Sequence, residues 1–184
     1  SIALYGIPNE WDVSQMTDMS YLFQDTTFNE DISNWDTRNV KNMAWMFSAS
    51  NWDKYFDKFN GDISKWDTSN VTNMESMFRW NQSFDCSGNN INTSVQERLI
   101  NNNNPEAGTE KYLAWDVSNV TNMSYMFKGH STTAFNNDIG NWNTSNVTNM
   151  SSMFEYSSEF NKRIGEKEVD FSSDGFEKYT AWNT

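Results

Sequence analysis

The sequence predicts an α/β solenoid of about five coils, each pairing a short parallel strand with a short helix, with loop insertions between coils. Three observations predict it. One short word recurs five times along the 184 residues. Its apolar residues fall at spacings that suit one face of a helix. A second word, ending in Ile-x-x-Trp, precedes several of the copies and reads as a short extended segment.

The units start near residues 11, 35, 66, 115 and 142, and a sixth begins at 182. Trp11-Asp12-Val13-Ser14 opens the first, followed by Met16, Met19, Leu22 and Phe23. Trp35-Asp36-Thr37 opens the second, with Val40, Met43, Met46 and Phe47. The third runs from Trp66 through Val71, Met74, Met77 and Phe78. The fourth carries Trp115, Val120, Met123, Met126 and Phe127, and the fifth Trp142, Val147, Met150, Met153 and Phe154. The second word is Phe28-Asn29-Glu30-Asp31-Ile32-Ser33, repeated at 59–64 and 135–140 and worn at 160–165, where Arg163 replaces the aspartate.

Within a unit, Val120, Met123, Met126 and Phe127 lie at i, i+3, i+6 and i+7, which predicts a short helix with Ser118 and Asn119 as N-caps. Asp62 to Trp66 reads as the short parallel strand, although anchors three apart (Ile63 and Trp66) depart from strict alternation. No such unit buries its apolar face alone, so neighbours must stack. Insertions at about 48–58, 86–113 and 166–180 leave the repeat as loops. Glu110–Trp115 resembles Glu177–Trp182, a hint of longer-range duplication.

Composition agrees with a repeat built on few bulky anchors. Only 36% of residues are hydrophobic, yet nine Trp, thirteen Phe and ten Met supply large buried area. The net charge of −12 sets aside nucleic acid and anionic membranes as partners. A solvated acidic surface is preferred over specific cation binding. The single cysteine, Cys86, excludes an intrachain disulfide, no apolar run is long enough for a transmembrane helix, and Ser1 to Leu4 is not an intact signal peptide.

The pattern Trp-Asp-Thr/Val-Ser-Asn-Val-Thr-Asn-Met-Ser-x-Met-Phe, followed by Phe-Asn-x-Asp-Ile-Ser-x-Trp, resembles the BspA-like leucine-rich repeats, also described as the bacterial surface protein 26-residue repeat or mycoplasma lipoprotein repeat. The resemblance covers nearly the whole chain apart from the insertions. It implies a leucine-rich-repeat-like solenoid, an extracellular or cell-surface location, and a role in adhesion or surface architecture; it does not imply an enzyme or a defined ligand. The third unit departs from the pattern at Phe84-Asp85-Cys86-Ser87.

Few residues suggest chemistry. His130 is the only histidine and stands in a polar stretch, so a zinc site or Cys–His pair lacks material. Asp31, Asp62 and Asp138 recur at one repeat position, and Asp12, Asp36, Asp67 and Asp116 at another. A column of calcium ligands is one reading; turn capping is preferred, because Asn143 and Arg163 interrupt the columns. No cofactor is expected. Trp45, Trp52, Tyr55, Phe56 and Trp80 lie off the core columns. They form a sugar-stacking or protein-binding patch, or else pack the insertions. Most Asn-x-Ser/Thr sequons are by-products of the repeat word, which leaves Asn81 and Asn92 as the better glycosylation candidates.

The expected function is that of a non-enzymatic extracellular or cell-surface repeat protein, structural or adhesive, self-associating end to end through its open ends into a filament or surface layer. The alternative is a ligand-binding module that recognises a glycan or protein through its insert loops.

Overall fold

A computed structural model describes residues 6–51, 58–84, 91, 93–100, 104–129, 135–165, 167–169 and 179–181. It overturns the expected strand-plus-helix coil. Among the described residues there is no α-helix, only two 3-10 turns, Pro8–Glu10 and Pro105–Ala107. The strands lie in two antiparallel pairs within or next to the insertions: β1 (Ser94–Leu99) with β2 (Thr109–Ala114), and β3 (Lys167–Val169) with β4 (Tyr179–Ala181).

The segment read as a helix fails to be one for two reasons. A residue near its middle sits in the left-handed region: Tyr21, Trp45, Ser76, Tyr125 and Ser152 all have φ between 55° and 62°. A single such residue ends a right-handed helix. The N–H groups also turn away from their own segment. Met43, Trp45, Phe47 and Ala49 donate to the carbonyls of Asn73, Glu75, Met77 and Arg79 in the next unit, at 2.9–3.0 Å. Alternate N–H groups thus point to one side and the carbonyls to the other.

The segment read as a strand is a turn. Ser64 N–H donates to Asp62 Oδ1 at 2.9 Å and Trp66 N–H to Ile63 O at 3.1 Å, which explains anchors three residues apart. The i, i+3 spacing of Met74 and Met77 has the same origin, since Met77 N–H donates to Met74 O.

Successive units lie on one another in chain order. Single-residue parallel bridges join Asp18, Asn42, Asn73, Asn122 and Asn149 in turn. Side chains repeat the connection. The Nδ2 groups of Asn39, Asn70, Asn119 and Asn146 donate to the carbonyls of Ser14, Arg38, Ser69 and Ser118. The indole Nε1 of Trp66 donates to Ile32 O and that of Trp115 to Ile63 O. These bonds satisfy polar groups that the buried edge of each unit would otherwise leave orphaned.

The apolar core runs through the units as columns of stacked rings. Phe23, Phe47, Phe78, Phe127 and Phe154 follow one another at centroid distances of 5.6–5.9 Å. Each also packs face to face with the phenylalanine of its second word, as Phe47 does with Phe59 at 3.9 Å. Met43, Met74 and Met123 are fully buried, while Met150 and Phe154, in the last unit, are only partly covered.

The recurrent aspartates hold turns. Ser14, Ser20 and Ser33 donate to Asp12, Asp18 and Asp31, and these bonds, from hydroxyl and main-chain N–H together, hold the three carboxyls below their ordinary value of 3.8. A carboxyl with a depressed folded pKa contributes stability that is complete above its unfolded value and lost as pH falls through the folded one. Thermal melts are therefore expected to show a modest loss below about pH 4 from these groups and none between pH 5 and 8. Asp18→Asn, which keeps the acceptor, should flatten part of that acid limb; an unchanged limb would show that the Asp18 bond is not formed.

Candidate binding surface

The left-handed position in each unit also builds a surface. It holds Tyr21, Trp45, Ser76, Tyr125 and Ser152, so three of five units place an aromatic ring there. Tyr21 and Trp45 stack at 6.2 Å and 13°. Ser76 leaves the next place without a ring, and a cation takes it. The Arg79 guanidinium lies 5.0 Å from the Trp45 ring centre, 5.4 Å from that of Tyr125 and 4.0 Å from that of Trp80. Further along, Lys128 Nζ stands 5.3 Å from the Tyr125 ring and 5.6 Å from Tyr156, and pairs with Glu155 at 2.7 Å. The outcome is a strip of alternating rings and cations from Tyr21 to Tyr156.

Burial disfavours the Arg79 charge and lowers its pKa from the usual guanidinium value, with Tyr125, Glu155 and Glu75 acting the other way. A guanidinium stays charged under any working condition, so the strip remains cationic at this point. The hydrogen bond from Lys128 holds the Glu155 carboxyl below its ordinary value. Each cation over a ring contributes about 0.5–1 kcal/mol at exposed sites and more where water is excluded. Tyr21 and Tyr156 are more than half exposed. The ring faces inside the strip are taken by neighbours, with the partly covered side chains of Arg79 and Lys128 between them.

A second cluster lies under the β1–β2 hairpin, in a cleft of about 280 Å³ lined by Trp35, Asp36, Arg38, Lys65, Asp67 and Tyr112 among others. Arg38 pairs with Asp36 at 2.9 Å and reaches Glu110 at 3.4 Å, while Arg98 pairs with Glu110 and Asp67. Arg38 also donates to the carbonyls of Leu99 and Ile100, and Tyr112 donates its hydroxyl hydrogen to Lys65 O. Burial works against the Arg98 charge, but its bonds to Glu110 and Asp67 outweigh it and raise the pKa; burial pushes the Tyr112 hydroxyl up. Both arginines have carboxylate partners, so the cluster reads as a latch that fastens the hairpin to the second and third units.

Of the residues marked out by sequence, Trp45 and Trp80 are brought together, on opposite contacts of Arg79. Trp52, Tyr55 and Phe56 lie outside the described residues, as do Asn92, Cys86 and His130. Asn81 points inward: it is buried, its Nδ2 donates to Phe59 O, and its Oδ1 accepts from Ser83 and Phe84 N–H. A glycan on that nitrogen would require the side chain to leave this position. Among the described residues no three His, Cys, Asp or Glu side chains are grouped to hold a metal ion, and no helix is long and apolar enough to cross a membrane.

Sequence reasoning missed Tyr21, Arg79, Tyr125, Lys128 and Tyr156. The signal for Tyr21 and Tyr125 was present, since both share Trp45's place in the repeat word. Nothing local marks Arg79, whose role arises because Ser76 leaves a gap.

Comparisons with curated proteins and with solved structures each gave no match. A family model matches twice, over residues 4–107 and 103–183. The two matches meet at the turn between β1 and β2 and together span nearly the whole chain, which belongs to the family described as Mycoplasma protein of unknown function, DUF285.

Proposed function

We propose that the chain is a non-enzymatic repeat protein of the cell surface or extracellular space with an adhesive role, and that the aromatic–cationic strip is its contact face. The strip carries the reading. Tyr, Trp and Arg are the side chains that dominate protein interfaces, because each brings large rigid area and a polar edge. Since the inner ring faces are already engaged and only the end rings Tyr21 and Tyr156 are widely exposed, the strip suits a protein partner better than a row of sugars stacked on open faces. The resemblance of the repeat word to the BspA-like surface repeats supports a surface location.

Flow-chamber adhesion of beads carrying the chain at single-molecule density tests this, with immobilised extracellular proteins and polysaccharides as surfaces. Tyr21→Ala with Tyr156→Ala removes two exposed rings that lie outside the core columns. Retention on protein surfaces is expected to fall about tenfold or more while the melting temperature stays within a few degrees. Unchanged retention would remove the strip as the contact face, and retention confined to polysaccharide would refute the protein partner.

A further inference from the structure

Arg79 differs from the other partly buried arginines in having no counter-ion. Arg38 pairs with Asp36 and Glu110, and Arg98 with Asp67 and Glu110. Among the described residues the Arg79 side chain makes no ion pair and no hydrogen bond, and its Nε is buried without a partner. The two carboxylates whose fields reach it are engaged elsewhere. Glu75 Oε2 accepts from Asn122 Nδ2 at 3.1 Å, and Glu155 Oε2 accepts from Lys128 Nζ at 2.7 Å. The Arg79 Nη groups, equally without an acceptor among the described residues, are not enclosed as Nε is. A charged fork of donors therefore stands in the middle of the third unit with nothing to receive it.

The rings around it fix the direction of approach. Trp45 belongs to the unit before and Tyr125 to the unit after, with ring centres 5.0 and 5.4 Å from the guanidinium, and Trp80 lies at 4.0 Å. An acceptor thus enters in the plane of the N–H groups, at the Nη end. A planar carboxylate meets that end with two parallel hydrogen bonds. A tetrahedral phosphate or sulfate would turn oxygens toward the ring faces, whose negative quadrupole repels them. The charge of −12 disfavours polyanions as well.

The geometry points to Arg79 as the socket for one carboxylate, an Asp or Glu side chain of a protein partner, held end-on by the two Nη groups between Trp45 and Tyr125. The inference rests on the adhesive reading of the strip and adds the chemistry of what the strip grips. The place is central, since the exposed rings Tyr21 and Tyr156 lie toward either end, and an arginine shielded by rings is where an interface concentrates its energy. The acidic charge of the chain repels a broadly acidic partner, so the partner brings a single shielded carboxylate and not an acidic patch. Such a pair governs how long the contact lasts more than how fast it forms.

Two measurements on the whole chain test it. In the first, the NMR signal of Arg79 Nε–H is followed as sodium acetate is added, against sodium chloride and sodium phosphate at equal ionic strength. Acetate is expected to shift the signal saturably and chloride is not. In the second, beads carrying Arg79→Lys, which keeps the charge and loses the fork, or Arg79→Met, which keeps the stem and loses the charge, enter the same flow chamber. A thermal melt verifies that each variant folds. Release from protein surfaces is expected to quicken about tenfold or more for both. An acetate shift no larger than that of chloride, a tighter response to phosphate, or an Arg79→Lys chain that holds as well as the wild type would each overturn the proposal. Retention that depends on Tyr21 and Tyr156 but not on Arg79 refutes the socket alone. Retention that depends on none of the three refutes the contact face itself, and the socket with it.

Discussion

Trp66→Ala is expected to lower the stability of the chain by about 3–5 kcal/mol, the upper range for a truncated core aromatic. Trp66 is fully buried, stacks on Trp35 at 6.2 Å and 3°, and lies 6.1 Å from Phe47. Its indole N–H also bonds Ile32 O across the unit boundary. Removing it takes out packing on two neighbours and one inter-unit bond together. Because four other units flank the hole, the surroundings cannot close over it without shifting the ladder of main-chain bonds. The midpoint of urea unfolding should fall at unchanged slope. Trp11, at the first unit and 38% exposed, is the internal comparison. Its replacement by alanine should cost less than half as much. Equal losses at the two sites would mean that the tryptophan positions are not a graded core.

Ser76 is expected to respond with opposite signs to two substitutions. Its φ of 55° is a conformation that L side chains adopt at a cost of about 1–2 kcal/mol. Its hydroxyl is buried with no hydrogen-bond partner, a further penalty. Glycine relieves both, at the expense of a more flexible unfolded chain, so Ser76→Gly should stabilise by about 1 kcal/mol. Proline cannot reach a positive φ and lacks the N–H that Ser76 donates to Ser124 O at 2.9 Å. Ser76→Pro should therefore destabilise by more than about 3 kcal/mol. Calorimetry on the pair decides the matter. A destabilising glycine would show that the left-handed turn at this position is not the conformation the segment holds.

The same position explains what the sequence could and could not reveal. The core columns were legible, since Val40, Met43, Met46 and Phe47 recur as Val71, Met74, Met77 and Phe78, and all are buried. The backbone that carries them was not. A turn every three residues turns the same side chains inward as a helix does, so the spacing i, i+3, i+6, i+7 fits both. Glycine ordinarily betrays a left-handed residue, but within the repeat units the positive φ values fall on Tyr, Trp, Ser and Asp, and only Gly6 and Gly108, outside the repeat words, follow the rule among the described residues. Trp45 and Trp80 stood out as rings off the core columns. Arg79 and Lys128 did not, because their contacts with Trp45, Tyr125 and Tyr156 of other units leave no trace within one.

The inter-unit bonds have a mechanical consequence. They run along the stacking direction, so a pull along that direction loads all the bonds of one boundary together, main-chain, asparagine and indole alike. A pull on one end of the chain across it loads them one after another, as a zipper does. The first mode resists and the second yields at low force. A unit that peels away releases roughly 80 Å of slack for its 24 or so residues, at about 3.4 Å each. Boundaries farther along remain shut meanwhile. A chain tethered at one end and gripped along its side would lengthen in discrete steps under load and keep its hold between them.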